Sequence, residues 1–158
     1  MDTDKPLASI AELKARVHGE ARVLGLDVGT KTIGLALSDT GRIIASPFAT
    51  LKRGRFRDDV RALGRIVAEH GVGAVVVGLP INMDGSEGPR CQSVRAFAAN
   101  LLGVLPLPLA FWDERLSTAA VERMLIAADI SRKRRAELDD KLAAAYILQG
   151  ALDAMGRT

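Results

Sequence analysis

The chain alternates between two kinds of hydrophobic spacing, and the switches between them mark its elements. Val23-Leu24-Gly25-Leu26 is a short apolar run that ends in Asp27, Gly29 and Thr30. Ile33-Gly34-Leu35-Ala36-Leu37-Ser38 is a second run and Asp39-Thr40-Gly41 a turn. Arg42 to Thr50 is a third extended segment, interrupted by Pro47. Short apolar runs joined by small, glycine-bearing gaps predict an antiparallel meander. From Val60 the spacing becomes helical: Val60, Leu63, Ile66 and Val67 share one face, and Gly71 to Gly73 stop it. Ala74-Val75-Val76-Val77-Gly78-Leu79-Pro80 is a continuous run centred on three β-branched valines, the pattern of a strand covered on both faces. Val94, Phe97, Ala98 and Leu101 predict another helix, and Leu109 to Trp112 another strand, which ends in Asp113-Glu114-Arg115. Ser117 is placed to cap a helix carrying Val121, Met124 and Leu125. After the polar, basic stretch Ser131 to Arg135, a last helix is expected from about Leu138 to Ala154.

Three strands, then helix, strand, helix, strand and helices, give an α/β class. Each helical crossover returns a parallel strand to the sheet. The expected architecture is a mixed five-stranded sheet, three antiparallel strands followed by parallel ones, flanked by helices. Ahead of it, Ser9 and Glu12 stand at capping-box spacing, and Ile10, Leu13 and Val17 fall on one face. Residues 1–20 therefore read as an N-terminal helical extension and 21–158 as a single domain.

Composition narrows the chemistry. A length of 158 residues suits one domain, and 48% hydrophobic residues exclude disorder of the whole chain. A single cysteine, Cys91, excludes a disulfide framework and any zinc site built on several thiolates. Two histidines, His18 and His70, argue against a histidine cage. No apolar run approaches the roughly 18 residues of a membrane helix. The first twenty residues lack the basic start and apolar block of a secretory signal, so a cytoplasmic location is expected. The net charge of +3 permits nucleic-acid binding without arguing for it.

The candidate chemistry is acidic. Asp27 ends a buried strand just before a glycine turn, where a carboxylate loses hydration unless a cation or hydrogen bonds compensate. A turn aspartate bonded to its own backbone is the plainer alternative. Glu114 stands beyond another strand end, where ligands of such sheets commonly bind, or else pairs with Arg115. Asp139 and Asp140 stand at the expected start of the last helix, where capping explains both. Asp140 also continues the stripe Ala144, Ile147 and Ala151 towards the protein body, but Leu142, Ala143 and Tyr146 do the same for Asp139. Three acids from separate elements can hold divalent metal through oxygen and serve phosphodiester cleavage. Two basic runs, Lys52-Arg53-Gly54-Arg55-Phe56-Arg57 and Arg132-Lys133-Arg134-Arg135, can neutralise phosphates or simply form solvated faces. Aromatic residues are only 4%, which disfavours base stacking as the main source of affinity. Gly29-Thr30-Lys31 lacks the Walker pattern, and neither a GxSxG elbow nor an HExxH motif occurs.

Four segments resemble the YqgF (RuvX) family in order. They are Leu26-Asp27-Val28-Gly29-Thr30-Lys31-Thr32-Ile33-Gly34, Val77-Gly78-Leu79-Pro80-Ile81-Asn82-Met83-Asp84-Gly85, Asp113-Glu114-Arg115-Leu116-Ser117-Thr118, and the stretch from Asp140 to Gln149. The likeness runs from about Arg22 to Leu152. It implies a ribonuclease H-like fold and a metal-dependent nuclease using magnesium or manganese, with two ions. The acidic positions of the family map to Asp27, Glu114 and Asp140 as catalytic and metal-binding residues, which leaves Asp139 as a helix cap. Lys141 departs from the family, which usually has a small residue there. Lys31, Arg115 and Asn82, with Arg132, Lys133, Arg134 and Arg135, are the candidate substrate contacts. Family members are associated with ribosome biogenesis, in rRNA processing at the five-prime end of precursor 16S ribosomal RNA. They were also named Holliday junction resolvases by analogy with RuvC. RNA processing is ranked first, as a monomer or homodimer, and cutting of four-way DNA second. A nucleotide- or RNA-binding module without nuclease activity is the reading from another class, because Asp-x-Gly-Thr after a first strand also occurs in sugar kinases and actin-like ATPases. Those need a second domain to close over nucleotide, which at 158 residues only an oligomer would supply.

Overall fold

In a strand buried on both faces, alternate residues serve different neighbours, and the segment Arg22–Val28 does so here. In the computed structural model, which describes residues 7–116 and 132–157, Leu24, Leu26 and Val28 belong to one core and Val23 to another. This strand, β2, lies at the centre of the sheet. It pairs antiparallel with β3 (Thr32–Ser38) and parallel with β5 (Val72–Leu79). Strand β4 (Ala45–Lys52) pairs antiparallel with β3, and β6 (Leu109–Asp113) parallel with β5. All five expected strands are present in the expected directions. The third begins at Ala45 rather than Arg42, because residues 39–44 form the turn: Asp39 accepts from the Ile43 and Ile44 backbone N–H groups at 2.7 and 3.0 Å.

A sixth strand was not foreseen. Leu7–Ala8, β1, pairs parallel with Leu109 and Ala110, so the sheet order is β1-β6-β5-β2-β3-β4. Two residues are too short to show a period, which is why the pattern missed them. Helix α1 (Ile10–Arg16) follows, with both halves of the Ser9/Glu12 capping box formed. Its Leu13 is fully buried.

Helices cover both faces. On one, α2 (Phe56–His70) and α3 (Pro89–Val104) bury Val60, Leu63, Val94, Phe97 and Leu101 against Leu24, Leu26, Ile33, Leu35, Val75 and Val77. On the other, α1 and α4 (Arg132–Arg157) bury Leu13, Ile147, Leu148 and Ala151 against Val23, Ala36, Ala74, Val76 and Ala110. The second face of the sheet is built of smaller residues, which lets α4 lie close. At Gly34 a Cβ would collide with the Asp140 backbone carbonyl.

Two expectations about the last third change. Helix α4 begins at Arg132, not near Leu138, because the basic run is itself helical. Asp139 and Asp140 are therefore interior to the helix, and Asp139 is not its N-terminal cap. The helix expected after Ser117, with Val121, Met124 and Leu125, lies outside the described residues. Among the described residues, no helix is long and apolar enough to cross a membrane.

Candidate active site

The α4 face of the sheet sets the site. Strand alternation puts Asp27 on that face, two residues beyond Gly25 and four beyond Val23. Asp27 is paired with Gly34 of β3, and Gly34 is the residue on which the Asp140 carbonyl rests. The two aspartates, far apart in sequence, thus meet through one glycine. Thr32, two residues before Gly34 and on the same face, donates its hydroxyl to Asp140 Oδ2 at 2.7 Å. Glu114 arrives from the other side. It opens a single 3-10 turn, Glu114–Leu116, directly after β6. A Cβ on Gly78 would stand 2.8 Å from Glu114 Oε1. Gly78 follows Val77, the ladder partner of Leu26, so its missing side chain leaves room for Glu114 beside Asp27.

Asp27, Glu114 and Asp140, all half-buried, line one cleft of about 310 Å³ together with Gly29, Thr30, Lys31, Thr32 and Arg90. The cleft is open. Among the described residues, no three His, Cys, Asp or Glu side chains are drawn into a ready-made metal cage.

The basic residues divide by what holds them. Lys31 is exposed at the cleft wall. Arg90 was missed by sequence reasoning; it lines the cleft, and its guanidinium donates to the Val28 carbonyl at 3.2 Å. Its signal was Gly88-Pro89, a helix start that sets the following residue at the loop end. Arg53 is a scaffold: it donates to the Gly29 carbonyl at 2.6 Å and stacks 5.2 Å over the Phe97 ring, holding the β2–β3 turn. Asn82 is bonded within its own loop, donating to Ser86 Oγ at 3.0 Å. The side chains of Arg132, Lys133, Arg134 and Arg135 lie outside the described residues.

Arg115 is occupied by Asp113, with guanidinium contacts at 3.1 and 2.7 Å. That hydrogen-bonded guanidinium holds the Asp113 carboxyl below its usual 3.8. A carboxyl depressed in the folded state stabilises it above the unfolded value and loses that contribution as pH falls through the folded value. Urea unfolding of the native chain and of Asp113→Asn is expected to show a small gap at pH 6 that narrows and closes as the pH falls below the usual 3.8. A gap constant down to pH 2 would mean that the pair contributes nothing.

A family model described as "RuvX: Holliday junction resolvase" matches residues 21–154. A protein of Paramagnetospirillum magneticum named "Putative pre-16S rRNA nuclease" is 60% identical over 148 residues, covering 94% of this chain and 96% of that one. One of the same name from Cereibacter sphaeroides is 59% identical over 145 residues, covering 92% and 91%. Among solved structures, Thermus thermophilus RuvC in complex with a Holliday junction aligns with a TM-score of 0.54 at 14% identity, over 86% of this chain and 96% of that one. The yeast mitochondrial Holliday junction resolvase Ydc2 aligns at 0.53 and 11% identity, over 94% and 85%. At such identities the likeness is one of fold, the ribonuclease H-like arrangement that the family resemblance had implied.

Proposed function

Because this chain belongs to the RuvX family, we propose that it is a metal-dependent nuclease acting on the five-prime end of precursor 16S ribosomal RNA. The observation that carries the proposal is the meeting of Asp27, Glu114 and Asp140 in one cleft. The names of the relatives from Paramagnetospirillum magneticum and Cereibacter sphaeroides support RNA as the substrate.

The donor set fits magnesium or manganese. It offers carboxylate oxygens alone, and an open cleft suits ions that keep part of their water shell and take substrate phosphate as a further ligand. Asp27, Glu114 and Asp140 would hold two such ions, which when bound acidify water and neutralise charge on attacking and leaving oxygens. The protein's own groups do the positioning. Thr32 fixes the Asp140 carboxylate by its hydrogen bond. Lys31 and Arg90 stand on the cleft wall, where they bind non-bridging phosphate oxygens. Arg115, tied to Asp113, orients the strand end that carries Glu114 and reaches the phosphate only by giving up that partner.

Arg132, Lys133, Arg134 and Arg135 begin the helix that carries Asp140, and their charges are assigned to substrate phosphates. Replacing all four by glutamine is expected to weaken RNA binding and to reduce the slope of log K against log salt by about 0.7 for each phosphate that is no longer neutralised. An unchanged slope in a filter-binding titration would make the run a solvated face.

The description of the family model favours a second reading, cutting of four-way DNA, a reaction on paired strands that suits a homodimer. The deciding experiment offers a precursor 16S five-prime fragment and a four-way DNA junction side by side, with magnesium or manganese. Cutting of the RNA alone supports the first reading and cutting of the junction alone the second. Failure to cut either, with RNA or ATP still bound, returns the chain to a binding module.

A further inference from the structure

Beside the acidic cleft lies a larger groove of about 660 Å³, lined by Lys31, Thr32, Phe48, Ala49, Thr50, Lys52 and Lys141. Lys31 and Thr32 line both, so the two are neighbours. No acid lines the groove. None of its three lysines makes an ion pair among the described residues. Positive charge without a partner among the described residues, held in a concavity beside the acidic cleft, is complementary to a polyanion.

The groove also holds an aromatic ring, and the strand places it there. In the ladder of β3 with β4, Leu35 pairs with Ala49 and Ala36 with Pro47, so Phe48 is the extra residue of a β-bulge. A bulge re-aims the side chain at its site. Pro47, which lacks an N–H, is at home beside such an irregularity on an edge strand. The Phe48 ring packs edge-on against His70 at 4.9 Å and stays 37% exposed. Thr50 and Lys52 pair with Gly34 and Thr32, which puts them on the α4 face, the face of Asp27. Phe48 to Lys52 spans about 13 Å of strand, enough to run beside a short stretch of nucleotides.

We propose that this groove seats a single-stranded segment of the substrate next to the scissile bond, with Lys31, Lys52 and Lys141 on its phosphates and a base stacked on Phe48. The proposal rests on the nuclease reading above and adds to it a track, a strandedness and a stacking residue. A sequence with few aromatics can still place one ring where a base must turn.

The test measures binding of fluorescein-labelled single-stranded RNA, and of the same sequence as DNA, to the full chain by anisotropy at several salt concentrations. An Asp27→Asn background prevents cutting during the titration. Phe48→Ala is expected to weaken binding about tenfold with an unchanged salt slope, because stacking is not ionic. Phe48→Trp restores the affinity, whereas Phe48→Leu, which keeps the apolar contact with His70, does not. Lys52→Gln reduces the slope by about 0.7. Equal weakening for RNA and DNA supports a track that reads backbone and base face; loss for RNA alone adds the 2′-hydroxyl to it. Native affinity in Phe48→Leu together with a native slope in Lys52→Gln overturns the groove while cleavage by the native chain keeps the nuclease reading. Absence of binding by every version overturns both. A fall in melting temperature without a fall in affinity assigns Phe48 to packing and overturns its role.

Discussion

Asp27→Asn is expected to lower the cleavage rate by at least about a thousandfold and to leave the fold unchanged. Asparagine has nearly the shape of aspartate, so the strand end and the pairing with Gly34 persist. What disappears is one negative charge at the wall shared with Glu114 and Asp140. Loss of several kcal/mol of transition-state charge stabilisation corresponds to about three powers of ten or more in rate. Because three carboxylates in one cleft repel one another, the melting temperature should stay level or rise slightly. Single-turnover cleavage with magnesium or manganese, read beside circular dichroism, checks both halves. Chelation should silence the native chain, and added magnesium should rescue the native chain alone. Full activity in a folded Asp27→Asn protein would sink the assignment of the site.

The second large effect is expected at Gly34→Ala, a residue that touches no substrate. Its new Cβ meets the Asp140 carbonyl, a backbone atom with no rotamer to escape into. Helix α4 must lift or the β2–β3 pair must bend. Overpacking of this kind costs about 3 kcal/mol, which in a chain of this size lowers the melting temperature by about 6–12 °C. Displacing Asp140 by about 1 Å should reduce kcat about a hundredfold even where the protein remains folded. Gly64→Ala is the control. It lies within α2 with nothing near its added Cβ and is expected to stabilise by about 0.5–1 kcal/mol with no change in rate. A native melting temperature and rate in Gly34→Ala would mean that α4 is not seated on that glycine.

These two residues show what the sequence makes legible. Asp27 stands at the end of a run whose period and composition mark a buried strand, so its unusual place can be read locally. Its convergence with Glu114 and Asp140 cannot be read that way: it depends on ladder register and on the seat of α4, both long-range. The choice between Asp139 and Asp140 came from family resemblance, because stripes through both residues point inward. Helical propensity in Arg132-Lys133-Arg134-Arg135 extended α4 past the point where apolar spacing fades, and that overturned the reading of Asp139 as a cap. Arg90 carried only the indirect signal of the Gly88-Pro89 helix start and emerged as a cleft residue only when α3 was set against the end of β2. Gly34 looked like one more small residue in a strand, and its importance is visible only with α4 above it.

The pairing of Leu7 with Leu109 also bears on the order in which the chain assembles. The meander of β2, β3 and β4 is built from sequence neighbours, and short loop closures form quickly. Strand β1 and the buried side of α1 have no seat until β6 has joined β5. On the ribosome β1 and α1 are therefore made well before the elements that seat them, and Leu13 waits in water until β6 and α4 follow. A nascent chain stopped before Leu109 should display that apolar stripe to any chaperone at the tunnel exit, and release past Arg157 should withdraw it.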